Sequence, residues 1–293
     1  MSSYELVSYQ LSDRDDYVGL LGEAWGHQGL SGDEFDWWFD RNPAGSLMSV
    51  ARANGRVVGV AAHTLLRMAL GGEEQAASFT VHATTHPSMR GQGIFAALEA
   101  KHEREAAERG VAVVLAFASA PTAPIFLGPL GWTEIGRLRI WARPVLGGRA
   151  EPPAAGLDVE GDTAAAWPNH VIRDARHLAW RYLDSPRGYL ALRSANGYAV
   201  VWPSKPHRGR TIAVLADLAA PPEEVPGLLR RAARASRARM LFALPAPAER
   251  RAYLGAGFVP THLTLHFIGK ALAGKLDTDP RAWRFTLGDT DFF

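Results

Sequence analysis

"HPSMRGQGIF", residues 86–95, places Arg-Gly-Gln-Gly between an apolar stretch that ends at Pro87 and a long helical pattern. Two glycines flanking one residue at such a junction let the backbone turn and present its amides. The neighbouring patterns say what is joined. "RVVGVAAHTLLRMAL" (56–70) is β-branched and apolar behind an Asn54-Gly55 turn signal, and "EEQAASFTVHATTHP" (73–87) alternates as its hairpin partner. From Gly93 the period turns helical. Ile94, Leu98 and Ala106 share one face, Lys101, Glu103, Arg104, Glu105 and Glu108 are solvated, and Gly110 supplies a C-terminal cap. "VAVVLAFAS" (111–119) reads as a buried strand. A short segment ending in Leu130-Gly131-Trp132 follows, then the strand "RLRIWARP" (137–144). This strand-strand-helix-strand-helix-strand order specifies an α/β fold with a helix N-terminus beside a strand end.

The bulk composition narrows the class. Of 293 residues, 47% are hydrophobic and 21% charged, an ordinary globular balance in a chain long enough for one large domain or two medium ones. There is no cysteine, which excludes a disulfide framework, a thiol nucleophile and a thiolate metal site. "MSSYELVSYQLSDRDDY" lacks a basic-then-apolar leader, and the longest apolar run, "VAVVLAFASA", is roughly half a membrane span. A cytoplasmic protein with no membrane partner is expected. The net charge of +2 gives no ground for a nucleic-acid partner. The five arginines of "RRAARASRAR" (230–239) lie outside an apolar face of leucine and alanine, as on a solvated helix.

The second half repeats the first. "FDWWFDRNPAG" (35–45) matches "LAWRYLDSPRG" (178–188) at Trp37/Trp180, Phe39/Tyr182, Pro43/Pro186 and Gly45/Gly188, an offset of 143. "ARANGRVVGV" and "RSANGYAVVW" follow at 142, and "FLGPLGW" and "YLGAGF" at 126, where Gly131-Trp132 meets Gly257-Phe258. The second copy is shorter where the first holds "HPSMRGQG". Two domains of one fold in tandem are therefore expected, each a mixed twisted sheet flanked by helices. Their boundaries are 1–144, a Gly/Pro/Ala-rich linker at 145–165, a degenerate copy at 166–275 and a tail at 276–293. The tail's "DPRAWRFTLGDTDFF" is too aromatic for a disordered segment and is expected to pack.

A helix N-terminus leaves its first amides unpaired and carries partial positive charge, so it suits phosphate. The spacing here is neither that of a Walker loop nor that of a dinucleotide fingerprint. Taken alone, the loop reads equally as an anion site or as a glycine-rich tight turn.

The ordered context, strand, "P-x-x-R-G-x-G-I", amphipathic helix, buried strand and Gly-aromatic helix, resembles the GNAT superfamily of acetyl-CoA-dependent N-acetyltransferases. That family's [RQ]-x-x-G-x-[GA] motif falls on Arg90, Gly91, Gln92, Gly93, Ile94 and Phe95. Phe95 departs from the small last residue. A bulky residue there resembles the branch of enhanced-intracellular-survival aminoglycoside acetyltransferases, whose members carry an extra degenerate domain. The likeness covers residues 1–143 well and 165–270 loosely. It implies direct acetyl transfer from acetyl-CoA to the amine of a small molecule, by a monomer or homodimer, with no metal. The amides of Arg90 to Ile94 would hold the coenzyme A pyrophosphate, with Phe95 closing the motif. Ala83, Thr84 and Thr85 would pair with the pantetheine arm, and a splay between their strand and "VAVVLAFAS" would admit the thioester. A base then takes the amine proton and an acid protonates the thiolate.

The acid and base are less regular. The family's thiolate-protonating tyrosine maps onto Leu127, while the second copy has Tyr253 in that place. His82 is a candidate base, on a strand face expected to carry Ser78, Thr80 and Thr84, with a plain strand histidine as the alternative. The C-terminal carboxylate of Phe293, after Asp289 and Asp291, is a second candidate, against a tail that only seals the core. "HATTH" pairs His82 with His86 but offers no third metal ligand, and Glu74 reads as turn-forming. Trp37 and Trp38 would roof the acceptor pocket or pack in the core. Two other functions remain open. One is a Fem-like tandem transferase using aminoacyl-tRNA, which "HLAWRY" faintly resembles and "RGQG" opposes; the other is a non-catalytic acyl-CoA-binding protein.

Overall fold

The computed structural model describes residues 4–26, 29–145, 154, 156–157, 164, 166–207 and 209–291, so most of the expected linker lies outside the described residues. The chain begins with β1 (Glu5–Ser8), α1 (Arg14–Trp25) and α2 (Gly32–Phe35), which runs into a π turn (Asp36–Asp40). β2 (Ser46–Ala53), β3 (Arg56–Leu70), β4 (Glu73–Thr85), α3 (Ile94–Glu108), β5 (Val113–Ala118), α4 (Ala123–Leu127) and β6 (Thr133–Pro144) follow. The second half has β7 (Asn169–Val171), α5 (Ala175–Leu178) with its π turn (Ala179–Leu183), β8 (Leu190–Arg193), β9 (Tyr198–His207) and β10 (Arg210–Ala219). It ends with α6 (Val225–Ala235), β11 (Met240–Ala243), α7 (Arg250–Gly255), β12 (Val259–Ala271) and β13 (Trp283–Arg284).

Local chemistry accounts for the punctuation. Asn54 and Gly55 adopt φ +50° and +76°, the left-handed pair that a tight hairpin between β2 and β3 requires. Ser31 and Glu34 cap the start of α2 reciprocally, the Ser31 hydroxyl accepting from the Glu34 amide and the Glu34 carboxylate from the Ser31 amide. The two stretches matched at an offset of 143 both form the same rare element. The Arg41 amide donates to the Asp36 carbonyl at 3.1 Å and the Asp184 amide to that of Ala179 at 2.9 Å, five residues back in each case.

Contacts divide the chain into two compact units that are not the two halves of the sequence. The first comprises Met1–Arg67, Gln75–Gly136 and His266–Thr278; the second comprises Met68–Glu74, Arg137–Leu265 and Asp279–Phe293. In the first, the strand order is β1-β2-β3-β4-β5-β12, with β4 and β5 parallel. In the second it is β6-β11-β10-β9-β8, with β10 and β11 parallel, so each unit has a mixed sheet. The departure from boundaries at 144 and 166 has one cause, the strand that follows each short helix. After α4, β6 pairs with β11, from Ala243↔Trp141 to Met240↔Pro144. After α7, β12 pairs with β5, from His266↔Ala118 to Ala271↔Val113. The last strand of each half completes the other half's sheet.

In the first unit Ile94 and Leu98 of α3 pack with Met89 on Ala51, Ala53 and Ala61. In the second, Leu228, Leu229 and Ala232 of α6 pack on Val201, Leu215, Leu241 and Phe258, which leaves Arg230 and Arg234 exposed. Trp283, Phe285 and Leu287 of the closing stretch are buried, and the Arg173 guanidinium bridges Asp217 and Asp289 at 2.7 Å each. Among the described residues no helix is long and apolar enough to cross a membrane.

Candidate active site

β4 and β5 are in register at Ala77↔Val113, Ser78↔Val114 and Phe79↔Leu115, and their pairing stops there. β4 continues to Thr85, while Ala116–Ala118 of β5 pair only with β12. A slot therefore opens between the two strands beyond Phe79. His82 marks the place on β4 with φ +48°, an orientation that costs a non-glycine residue about 1 kcal/mol and kinks a strand. The kink is braced on its outer side. The Tyr17 hydroxyl donates to the His82 carbonyl at 3.3 Å, and the imidazole lies 4.9 Å from the Trp38 ring, 5.9 Å from Phe39 and 6.1 Å from Trp25.

The loop begins where β4 ends. Pro87–Met89 form a 3-10 turn, and Arg90 Nε donates to the Thr85 carbonyl at 3.2 Å. Gly91 and Gly93 adopt φ +76° and +77°, and a Cβ on either would meet nothing within 4 Å. Both glycines thus face open space in a conformation other residues avoid. Gly93 is the N-cap of α3, and no side chain caps the helix. Its first-turn amides are left for a ligand, at the positive end of a 15-residue helix. Met89 and Ile94, buried on either side, anchor the exposed glycines between them. Gly59 lets α3 sit this low, since a Cβ there would fall 2.6 Å from Ile94 Cγ2. Phe95 turns its ring edge-on to Phe126 of α4 at 5.5 Å, and Phe126 in turn meets Trp132 at 4.7 Å. The bulky residue in the motif's last position therefore fills the space between α3 and α4.

The other candidates fall in several places. Ser78 meets β3, with its Oγ 3.2 Å from His63 Nδ1, and Thr80 meets α3, with its Oγ1 2.9 Å from Glu99 Oε2. His82 does not share their face as strict alternation would have it, because its left-handed φ turns the ring to the aromatics of α1 and the π turn. Trp37 is wholly buried and Trp38 nearly so, its Nε1 donating to Thr64 Oγ1 at 2.7 Å, so neither is an open pocket roof. Tyr253 is buried in the core of the second unit, edge-on to Phe258 at 5.2 Å, and burial there pushes its hydroxyl well above the usual phenol range. Leu127 is exposed. Asp289 is engaged by Arg173, and Phe293 lies outside the described residues. His86 Nδ1 bonds the Ser88 hydroxyl at 2.7 Å while His82 is boxed by aromatics, so the two are committed to different surroundings.

One group escaped the sequence reading. His63, Glu99 and His102 are wholly buried, with His63 Nε2 3.0 Å from Glu99 Oε2. Their trace was present in the helical pattern, because His102 stands midway in the apolar row Leu98–His102–Ala106. Burial, then His63 and Lys101, holds the His102 imidazole well below its ordinary range and keeps it neutral.

Residues 5–135 match the family model described as an acetyltransferase (GNAT) domain. A comparison with curated protein sequences finds no match. Among solved structures, a GCN5-related N-acetyltransferase from Kribbella flavida is 17% identical with a TM-score of 0.62, over 92% of this chain and 71% of that one. Eis1 from Mycobacterium abscessus is 15% identical with a TM-score of 0.56, over 92% and 74%. Saccharomyces cerevisiae N-myristoyltransferase with bound myristoyl-CoA is 12% identical with a TM-score of 0.64, over 92% and 83%. At these identities the likeness is one of fold, and it extends through both units. Residues 5–135 are thus similar to an acetyltransferase (GNAT) domain, and the solved structures share the fold.

Proposed function

We propose, from the GNAT acetyltransferase domain at residues 5–135, that the protein moves an acetyl group from acetyl-CoA to the amine of a small molecule. The observation that carries this reading is the uncapped start of α3, with Gly91 and Gly93 open above it, beside the slot where β4 parts from β5. The amides of Arg90 to Ile94 hold the pyrophosphate by charge and hydrogen bonding together. Ala83 and Thr84 offer backbone groups along the slot for the pantetheine amides. The Thr85 carbonyl is already taken by Arg90, which ties the strand end to the loop.

In the reaction the amine nitrogen attacks the thioester carbonyl carbon, the carbon–sulfur bond breaks and coenzyme A leaves as a thiolate. His82 accepts the proton released from nitrogen, oriented by Trp38 and Phe39 around its ring. Leu127 brings no acid, so the thiolate is protonated from water. Tyr253 is assigned to packing in the second unit, which we read as a degenerate copy of the fold without the glycine loop. A donor of the aminoacyl-tRNA kind has no use for a pyrophosphate loop, and the loop's retention favours acetyl-CoA.

The decisive experiment titrates acetyl-CoA into the protein by calorimetry and then measures thiol release across a panel of amines. One-to-one binding with amine-dependent release supports the reading. Binding without release makes the protein an acyl-CoA-binding protein, and no binding removes the assignment.

A further inference from the structure

We propose that His63, Glu99 and His102 form a buried divalent-metal site that fastens α3 to the sheet beneath it. All three side chains are fully buried, and their donor atoms lie within 4.8 Å of one another. Thr80 adds a fourth donor, its hydroxyl oxygen. His63 Nε2, Glu99 Oε2 and Thr80 Oγ1 form a triangle with edges of 3.0, 2.9 and 3.0 Å. At most two hydrogens are available to serve these three edges. An ion held at about 2.1 Å by each would space adjacent octahedral ligands about 3.0 Å apart, which is the spacing of this triangle.

The remaining valences point the same way. Glu99 Oε1 and His102 Nδ1 are buried with no hydrogen-bond partner, a costly state for a carboxylate oxygen and an imidazole nitrogen. Each imidazole has its other nitrogen occupied by a serine. Ser78 Oγ lies 3.2 Å from His63 Nδ1, and Ser49 Oγ lies 2.9 Å from His102 Nε2. One nitrogen toward the centre and one held by an outer hydroxyl is how metal-bound histidines are oriented. Ser49 is itself fixed by Lys101 Nζ at 3.0 Å. Two imidazoles and one carboxylate suit a borderline first-row divalent ion, for which zinc and cobalt(II) serve as probes, rather than calcium or magnesium. The site is closed, with ligands from β3, β4 and α3, so the ion's role is structural.

The test needs no activity. The full chain is purified, its metal content measured, and then refolded after chelation with zinc or cobalt(II) supplied alone. Expected are about one ion per chain, visible cobalt absorption and a rise in Tm on metal addition. Glu99→Gln and His102→Asn, each checked for native circular dichroism, should weaken binding at least about tenfold. A folded wild-type chain that takes up no zinc or cobalt overturns the proposal, leaving a histidine–carboxylate hydrogen bond as the cluster's whole content. So does a folded Glu99→Gln variant that binds as tightly as the parent. Should one variant fail to fold, the other carries the comparison.

Discussion

At Gly93 the backbone is left-handed and the space above it is empty, so a substitution there tests electrostatics rather than sterics. Gly93→Asp should cost the fold about 1 kcal/mol for its φ and place a carboxylate at the proposed diphosphate site. Acetyl-CoA affinity is expected to fall at least about tenfold by calorimetry, with Tm lowered only a few degrees. An unchanged affinity would remove the pyrophosphate site. His82→Gln should lower kcat by about a hundredfold or more in a thiol-release assay while the KM for acetyl-CoA stays within about twofold. A kcat equal to wild type would leave His82 a packing residue. The two glycines were legible because few residues accept such φ values, and their loop is the only long interruption in the repeat. The orientation of His82 was not, since alternation presumes an unkinked strand. Nor was His102 legible as a polar centre, because only the fold brings His63 to the row that contains it.

On the scale of the element, α3 depends on the missing side chain at Gly59. Gly59→Val would drive its Cβ into Ile94 and its neighbour Ala51, whose Cβ lies 3.3 Å from that position. The expected loss is about 1–3 kcal/mol in urea unfolding, with weaker acetyl-CoA binding because the helix start is displaced. A variant as stable as wild type would show that α3 is not seated on β3 as described. The short helix α5 supplies a pH test. Burial, and next to it Arg173, pulls His177 down to about 4. The unfolded chain therefore takes up a proton near pH 6.5 that the folded chain refuses. Stability should be undiminished above about pH 6.5, drain as the pH falls toward about 4, and lose about 2–3 kcal/mol by pH 4.5. His177→Gln should flatten that part of the urea-midpoint profile; an equally steep profile would assign the acid sensitivity elsewhere. Elements of this kind were readable where period and caps agreed, as in α3, β5 and α6. The π turns were visible only as a repeated Trp-x-aromatic sequence, with nothing local to announce five-residue hydrogen bonding.

For the whole molecule, the exchange of β6 and β12 makes each unit a product of both halves. Separate expression of residues 1–145 and 166–293 should yield two chains that unfold without cooperativity, whereas coexpression should yield a stable one-to-one complex. A cooperative thermal transition in either half alone would contradict the exchange. The matched stretches led us to expect two copies of one fold but could not tell which half keeps which last strand, because both strands are apolar and both follow a Gly-aromatic turn. The tail adds its own dependence. Asp289→Asn removes one of two carboxylates from a buried guanidinium and should destabilise the chain by about 3 kcal/mol, measured by urea midpoint.

The exchange also sets a timetable for synthesis. β5 is complete at Ala118, but the strand that covers its free side begins pairing at His266. At 5–20 residues per second, a ribosome needs about seven to thirty seconds to make the intervening chain. Throughout that interval the nascent chain carries an apolar strand with one row of backbone groups bare, open to any neighbouring polypeptide on the same message. Slower translation lengthens this exposure, so the yield of soluble protein should depend on codon choice between residues 119 and 266 more than on codons elsewhere.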